Sequence, residues 1–478
     1  MMGKRTKAAV ENNILPIVRI AGRDERWPLQ ARMEHYGVPA VSIAVMKDGV
    51  LDWAAGYGLR EVGSLSLTDE NTVFMGASTS KPVSAFLVMQ LVERGVLALD
   101  ADINSYLKRW QLPDNPLTAG APVTLRNMLN HTAGLTVNGW PVCPKGRPLP
   151  TVFDLLEGTR PPVDDPGPNE FVMPAVRVNK RPNGSRRYSG GGFLLAQLAA
   201  EDMTGKTFDV LADEMIFGPL GMTRTTFQSN PLAAKFASNV ASGHGPDGVA
   251  LPGGYHVSPE MAAGGIFTTA ADYARFHIGF RDAWLGKPHS VLSQDSARLM
   301  ASRPGDGEFG LGWRVLGAGH SCRVNHGGSN GGYQSETNSY LETGDGAMVF
   351  TNAVAGQFLF SEILNGIAET YDWPDFLVPE KRVVPVPKNM LSKFEGQYRI
   401  TSGIELPVMN IWSEDGQLKS EVPGLRAGVR TLFMDDTGRF FSQSGPYETS
   451  IVYGEDGRAL ELIVYEGTEE IMRAARIN

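Results

Sequence analysis

Met75-Gly76-Ala77-Ser78-Thr79-Ser80-Lys81-Pro82 runs directly into Val83-Ser84-Ala85-Phe86-Leu87-Val88-Met89-Gln90-Leu91-Val92-Glu93-Arg94, and Gly95 closes the stretch. Pro82 to Arg94 is apolar nearly all round, which predicts a helix buried on every face. Pro82 suits the first turn, where a missing N–H loses no bond, and Gly95 suits the C-cap. Ser78 therefore stands at a helix N-terminus, where free N–H groups and the dipole favour developing negative charge. Lys81 lies one turn further on, so its amine can reach the Ser78 oxygen from the same face. The plain structural role for Ser78 is an N-cap. A second Ser-x-x-Lys, Ser105-Tyr106-Leu107-Lys108, sits in a polar segment that reads as a surface helix. Composition alone gives about two such matches in a chain of this length. Context, not the pattern, selects Ser78.

A Ser–Lys nucleophile needs a second proton-transfer group and a place for the oxyanion. Downstream, Tyr188-Ser189-Gly190-Gly191-Gly192 precedes the apolar run Phe193-Leu194-Leu195, so a phenol stands at another helix start. Val324-Asn325-His326-Gly327-Gly328-Ser329 reads as a strand edge whose glycines let a substrate approach the backbone. Singly, Tyr188 reads as a core or rim tyrosine and His326 as structural.

Their order carries more. Ser78-x-x-Lys81, Asn130-His131-Thr132-Ala133-Gly134-Leu135, Tyr188-Ser189-Gly190 and His326-Gly327-Gly328 together resemble the class C β-lactamase and penicillin-binding-protein-like serine hydrolases. Gly264-Gly265-Ile266-Phe267-Thr268-Thr269-Ala270 and Phe309-Gly310-Leu311-Gly312-Trp313 agree with that. The resemblance implies an α+β fold, with an antiparallel sheet flanked by helices and an all-helical subdomain. It implies Ser78 as nucleophile, Lys81 and Tyr188 sharing the proton traffic, and the backbone N–H groups of Ser78 and Ser329 as the oxyanion hole. His326 takes the place of the Lys in the family's Lys-Thr-Gly, and Gly190, Gly327 and Gly328 fall among the substrate-binding positions. Two departures stand out. Gly190 occupies the family's usual Asn position, and no Lys-Thr-Gly occurs. His-x-Gly is more similar to the esterases, D-aminopeptidases and DD-peptidase relatives than to efficient β-lactamases.

The rest of the chain frames this unit. Val41–Val45, Lys47-Asp48-Gly49 and Val50–Ala55 predict a hairpin with an Asp-Gly turn. Pro374, Pro379, Pro385 and Pro387, alternating with valines, predict an extended connector. Beyond it, short strand-like runs begin at Phe394, Leu406, Leu418, Val429, Arg439, Ser450 and Leu460, separated by turns such as Asp436-Thr437-Gly438. They predict a small antiparallel barrel or sandwich, and the run from Phe394 resembles the lipocalin-like domain on some peptidase members, which implies a small antiparallel β-barrel. The domains expected are 15–375 (catalytic), 376–389 (linker) and 390–478 (barrel). Val137–Arg187 is rich in Pro, Gly and charge and reads as a functional rim or a set of short pieces. Residues there, or near Tyr255 or Tyr333, are candidates to line the acyl pocket.

With 44 Lys and Arg against 52 Asp and Glu, 44 − 52 leaves a net charge of −8, without the basic footprint of a nucleic-acid partner. Cys143 and Cys322 are expected to be unpaired thiols. Met1–Ile14 lacks an apolar leader, and no window approaches the length of a membrane span, so a cytoplasmic protein with no membrane partner is expected. No His-Glu-x-x-His or Cys/His ligand set occurs, so neither a metal nor another cofactor is expected. Gly327-Gly328-Ser329-Asn330-Gly331 matches a Gly-x-Ser-x-Gly elbow, but that triad needs a later histidine and His326 is the last. Gly205-Lys206-Thr207 lacks the earlier glycine of a phosphate loop, since Ala200 stands there. The function expected is hydrolysis of a small-peptide amide, D-residue or unusual peptides included, through an acyl-Ser78 intermediate. A carboxylesterase of the same family is the alternative, and a non-catalytic ligand-binding scaffold a remote one. The partners expected are a small-molecule or short-peptide substrate, with a homo-oligomer allowed.

Overall fold

The computed structural model describes residues 6–140, 143–145, 148–159, 174–228, 232–303, 307–402, 408–423 and 428–477. Contacts divide the chain into two compact units: 40–244 with 250–352, and 1–39 with 245–249 and 353–478.

In the first unit, β1 (Ala40–Lys47) and β2 (Val50–Gly58) form the expected hairpin. Lys47 pairs with Val50, and Asp48 and Gly49 both adopt positive φ, 53° and 80°. That is the two-residue turn an Asp-Gly pair serves, because its twist matches the strands. β3 (Phe74–Ala77) leads into α1 (Ser80–Glu93), and α2 (Gly190–Thr204) lies alongside. β4 (Ile266–Thr268) pairs with β3 and continues into α3 (Ala270–Leu285). The chain then returns through β5 (Arg314–Leu316), β6 (Arg323–Asn330), β7 (Tyr333–Tyr340) and β8 (Gly346–Thr351). These strands and the hairpin make one antiparallel sheet, ordered β2-β1-β8-β7-β6-β5.

Ser80 to Leu91 of α1 is buried without a break, as its all-round apolar pattern requires. Phe86 meets the rings of Phe276 and Phe280 on α3 edge-on, and Trp313 stacks on Phe276. Gly95, at φ 70°, ends the helix by donating to Val92. This core makes the N-terminus of α1 a rigid platform.

In the second unit, helices Leu29–Tyr36 and Gly356–Tyr371 pack together. Arg32 grips buried Glu362 with two bonds, Nε to Oε2 at 2.6 Å and Nη2 to Oε1 at 2.7 Å, and the Tyr36 hydroxyl donates to Oε1 at 2.7 Å. Removing one partner of a buried pair leaves an uncompensated charge, so Arg32→Ala is expected to destabilise by about 3–5 kcal/mol. Urea unfolding of the full chain checks it. A loss below about 1 kcal/mol would mean the pair is effectively solvated.

The same unit holds a closed barrel of eight antiparallel strands: β9 (Gly396–Ser402), β10 (Met409–Glu414), β11 (Gln417–Glu421), β12 (Arg430–Asp435), β13 (Phe440–Phe441), β14 (Tyr447–Tyr453), β15 (Ala459–Glu466) and β16 (Glu469–Arg476). The ring runs β12-β11-β10-β9-β16-β15-β14-β13 and closes where β13 pairs with β12. Tyr398, Ile411, Leu418, Phe440, Leu462 and Ala474 fill it. Two elements differ from expectation. Phe394 ends a helix, Lys388–Phe394, and its carbonyl accepts from the Tyr398 hydroxyl. β16 gave no strand signal, because Glu469-Glu470-Ile471-Met472-Arg473-Ala474-Ala475-Arg476 is made of helix formers. Pairing on both sides, with β9 and β15, overrides that propensity. The start of the Leu406 run lies outside the described residues.

Cys143 and Cys322 are both free thiols. The described parts of the Val137–Arg187 stretch include a two-residue strand at Cys143–Pro144 and a helix, Val152–Glu157; residues 160–173 lie outside the described residues. Among the described residues no helix is long and apolar enough to cross a membrane.

Candidate active site

The turn between β3 and α1 is held from four sides. The Thr79 hydroxyl donates to Gly76 O at 2.9 Å, and the Ser80 hydroxyl donates to Ala77 O at 2.7 Å. Ile266 N–H donates to Ser80 Oγ, and the Tyr273 hydroxyl donates to Thr79 O. Ala77 sits at φ 51°, a conformation a non-glycine residue keeps only where its surroundings impose it. α1 starts at Ser80, so Ser78 does not cap it as the plain structural role would have it. Its hydroxyl, half-buried, instead faces Lys81.

Lys81 is buried, and its Nζ donates to Ser78 Oγ at 3.0 Å and to Ala263 O at 2.7 Å. No carboxylate among the described residues pairs with it. The amine stands 4.8 Å from the centre of the Tyr188 ring and 5.7 Å from that of Phe193. Three of the expected site residues therefore meet around one ammonium-sized point.

Tyr188 is positioned by His131, to which sequence reasoning gave no role. Arg187 N–H donates to His131 O at 2.8 Å, and Ser189 N–H donates to His131 Nδ1 at 3.2 Å, so the residues flanking Tyr188 are both tied to this histidine. Its ring lies 4.3 Å from that of Tyr188. Since Nδ1 accepts, the proton of the neutral ring is on Nε2. Burial, and then the nearby Lys81 charge, hold the His131 pKa well below its ordinary value. The signal in the sequence was Asn130-His131-Thr132-Ala133-Gly134, read there as a family mark only.

His326 reaches the same cluster from β6, with its ring 6.4 Å from that of Tyr188. Its Nδ1 lies 2.7 Å from Gly327 O, which only accepts, so Nδ1 carries the proton and buried Nε2 keeps a free lone pair. Burial, helped by Lys81, lowers its pKa to about 3. A neutral imidazole thus stands at this position. Gly328 packs against β3: a Cβ there would lie 2.1 Å from Gly76 O, so only glycine fits. That contact brings β6 against the strand two residues before Ser78. Ser329 is exposed, and its hydroxyl accepts from Gln334 Nε2 at 2.9 Å.

Gly190 is buried, and its N–H donates to Asn138 O at 3.1 Å. A Cβ there would stand 2.9 Å from that oxygen and 3.4 Å from Trp140, so an Asn side chain has no room. The Ala263 carbonyl supplies the acceptor for Lys81. Two further groups escaped the sequence reading. Glu336, opposite Gly327 on β7, and buried Glu260, just before Ala263, are both pushed up to about 7 by burial.

Tyr333 borders neither of two surface cavities of the described residues. It is fully buried, with its hydroxyl between Ala241 O at 2.7 Å and Gly254 O at 3.1 Å. Tyr255 does line one, a cavity of about 590 Å³ with Arg60, Glu61, Lys145 and Leu251, but none of the Ser78 cluster borders it. Among the described residues no group of three or more His, Cys, Asp or Glu could hold a metal ion.

The Beta-lactamase family model matches residues 29–369. The chain belongs to the Beta-lactamase family. As a Beta-lactamase family member it is a serine hydrolase. It is 27% identical over 373 residues to penicillin-binding protein 4 of Amycolatopsis lactamdurans, covering 74% of this chain and 92% of that protein. Among solved structures, the octameric penicillin-binding protein homologue from Pyrococcus abyssi matches with TM-score 0.58 and 19% identity, over 94% of this chain and 98% of that one. The D-amino acid amidase from Ochrobactrum anthropi SV3, complexed with D-phenylalanine, matches with TM-score 0.56 and 22% identity, over 71% of this chain and 97% of that one. At these identities both structures show that this Beta-lactamase family member shares their fold.

Proposed function

We propose that this chain hydrolyses the amide bond of an amino-acid amide or short peptide through an acyl-Ser78 intermediate. The observation that carries the reading is the Lys81 amine, buried and 3.0 Å from Ser78 Oγ, with Ala263 O fixing its direction. Lys81 in its neutral form takes the Ser78 proton as the oxygen attacks the carbonyl carbon. The N–H groups of Ser78 and Ser329 receive the charge on the carbonyl oxygen. Tyr188, oriented through His131 with its ring 4.8 Å from the amine, returns the proton to the leaving nitrogen. Water then cleaves the ester. Gly190, Gly327 and Gly328 keep side chains out of the path of the acyl group.

The D-amino acid amidase and the penicillin-binding proteins among the relatives support amides over other acyl compounds, and the octameric homologue supports a homo-oligomer here. Neutral His326 supports poor anchoring of a penicillin carboxylate. Intact-mass analysis after exposure to a D-amino-acid amide, a p-nitrophenyl ester and a penicillin tests this. The amide should be turned over, the ester should leave one acyl group on Ser78, and penicillin should label slowly. Ser78→Ala should take up none of them. Unchanged turnover in Ser78→Ala would overturn the assignment, and ester turnover without amide turnover would make the chain a carboxylesterase.

A further inference from the structure

Glu336 is a carboxylate that stands over Gly327 in the His326-Gly327-Gly328 edge. It faces Gly327 across the β6–β7 ladder, and a Cβ on Gly327 would lie 2.6 Å from its Oε2. Gly327 therefore leaves the place of its own side chain to this oxygen. Oε1 accepts from Asn325 Nδ2. That bond fixes one oxygen, and the side chain is only half-buried, so the carboxylate keeps an accessible face. Arg314, on the strand beside Asn325, acts on this carboxylate as a cation, and its guanidinium is paired with Glu308 at 2.8 Å. His326 next door is neutral. The edge that presents backbone to the substrate thus carries an acceptor carboxylate, and the Arg314 beside it is already paired with Glu308.

We infer that Glu336 sets specificity: it takes the free ammonium group of a substrate and turns away substrates that place a carboxylate beside Gly327. This rests on the acyl-Ser78 reading and narrows its substrates to those with an unblocked amine. Burial already works against ionisation of Glu336, and an arriving ammonium removes that penalty by pairing with it. A charge-assisted bond at such a site contributes more than a neutral one, and a like charge there is repelled.

Competition against acylation by p-nitrophenyl acetate reads this directly, because that ester is uncharged. In the full-length wild type, D-phenylalaninamide should slow acylation at a concentration about tenfold or more below that needed with N-acetyl-D-phenylalaninamide, and N-acetyl-D-phenylalanine should compete least. Glu336→Gln should bring the first two within about threefold of each other. Gly327→Ala, which displaces Oε2 without removing the carboxyl, should narrow the same ratio. A ratio unchanged in Glu336→Gln, or a wild type that prefers the carboxylate compound, overturns the inference while leaving acyl-Ser78 in place. Absence of any acylation by p-nitrophenyl acetate overturns the acyl-Ser78 reading itself.

Discussion

Ser78→Ala, Lys81→Ala and the double variant are expected to fall to the same residual rate, about 10⁴-fold or more below the wild-type kcat/KM. The reason is that the two residues perform one act. Without Lys81 the Ser78 hydroxyl loses the acceptor for its proton, since among the described residues the side chain bonded to it is this amine, at 3.0 Å. Without Ser78 the amine has nothing to activate. Groups that work as a unit lose their function once, not twice. Steady-state rates on a D-amino-acid amide, with the three variants checked for folding, decide the matter. Losses that multiply would show two independent contributions and remove Lys81 from the role of base.

Stability should fall in two stages as pH is lowered below about 6, shallow to about pH 4.5 and steep below it. His277 and His326 are lowered to about 3 by burial, and His131 lies well below its ordinary value for the same reason. Each is neutral in the folded chain and gains a proton only on unfolding once pH drops below about 6.5, so each contributes stability that is lost with acid. Glu336 and Glu260 act the other way. Raised to about 7, they hold protons in the folded state that the unfolded chain releases above about 4.3, so they become less unfavourable as pH falls through that window. In that window the histidine and carboxyl contributions oppose each other, so stability changes only gently. Below about pH 4.5 the carboxyls stop compensating, and the slope should steepen. Urea titrations across pH, followed by tryptophan fluorescence, measure it. His277 lies 4.9 Å from Trp313 with neither ring nitrogen bonded, so His277→Phe should flatten the acid limb by one proton. An unaltered slope in that variant would place the His277 proton elsewhere.

The sequence was legible where local chemistry and tertiary placement agree. Asp48-Gly49 needs its neighbours only for strand twist, and the all-apolar Pro82–Arg94 run could go nowhere but the core. Ser78, Lys81, Tyr188 and His326 kept their chain order and converge in space. What stayed hidden depends on distant partners. Glu336 reads as one polar residue in a polar strand until pairing puts it over Gly327. His131 reads as part of a motif until its two backbone bonds to Arg187 and Ser189 are visible. Gly190 reads as a missing Asn, whereas the Asn138 carbonyl leaves no volume for one. β16 gives no strand signal, because its pattern alone does not reveal the two strands waiting on either side.

Closure of the barrel has a practical side. Residues 469–476 are its last stave, bonded to β9 on one flank and β15 on the other. Trimming them as a frayed tail would open the ring and bare two rows of backbone donors and acceptors at once, the kind of surface on which neighbouring molecules zip together. For anyone shortening this chain, that strand is masonry.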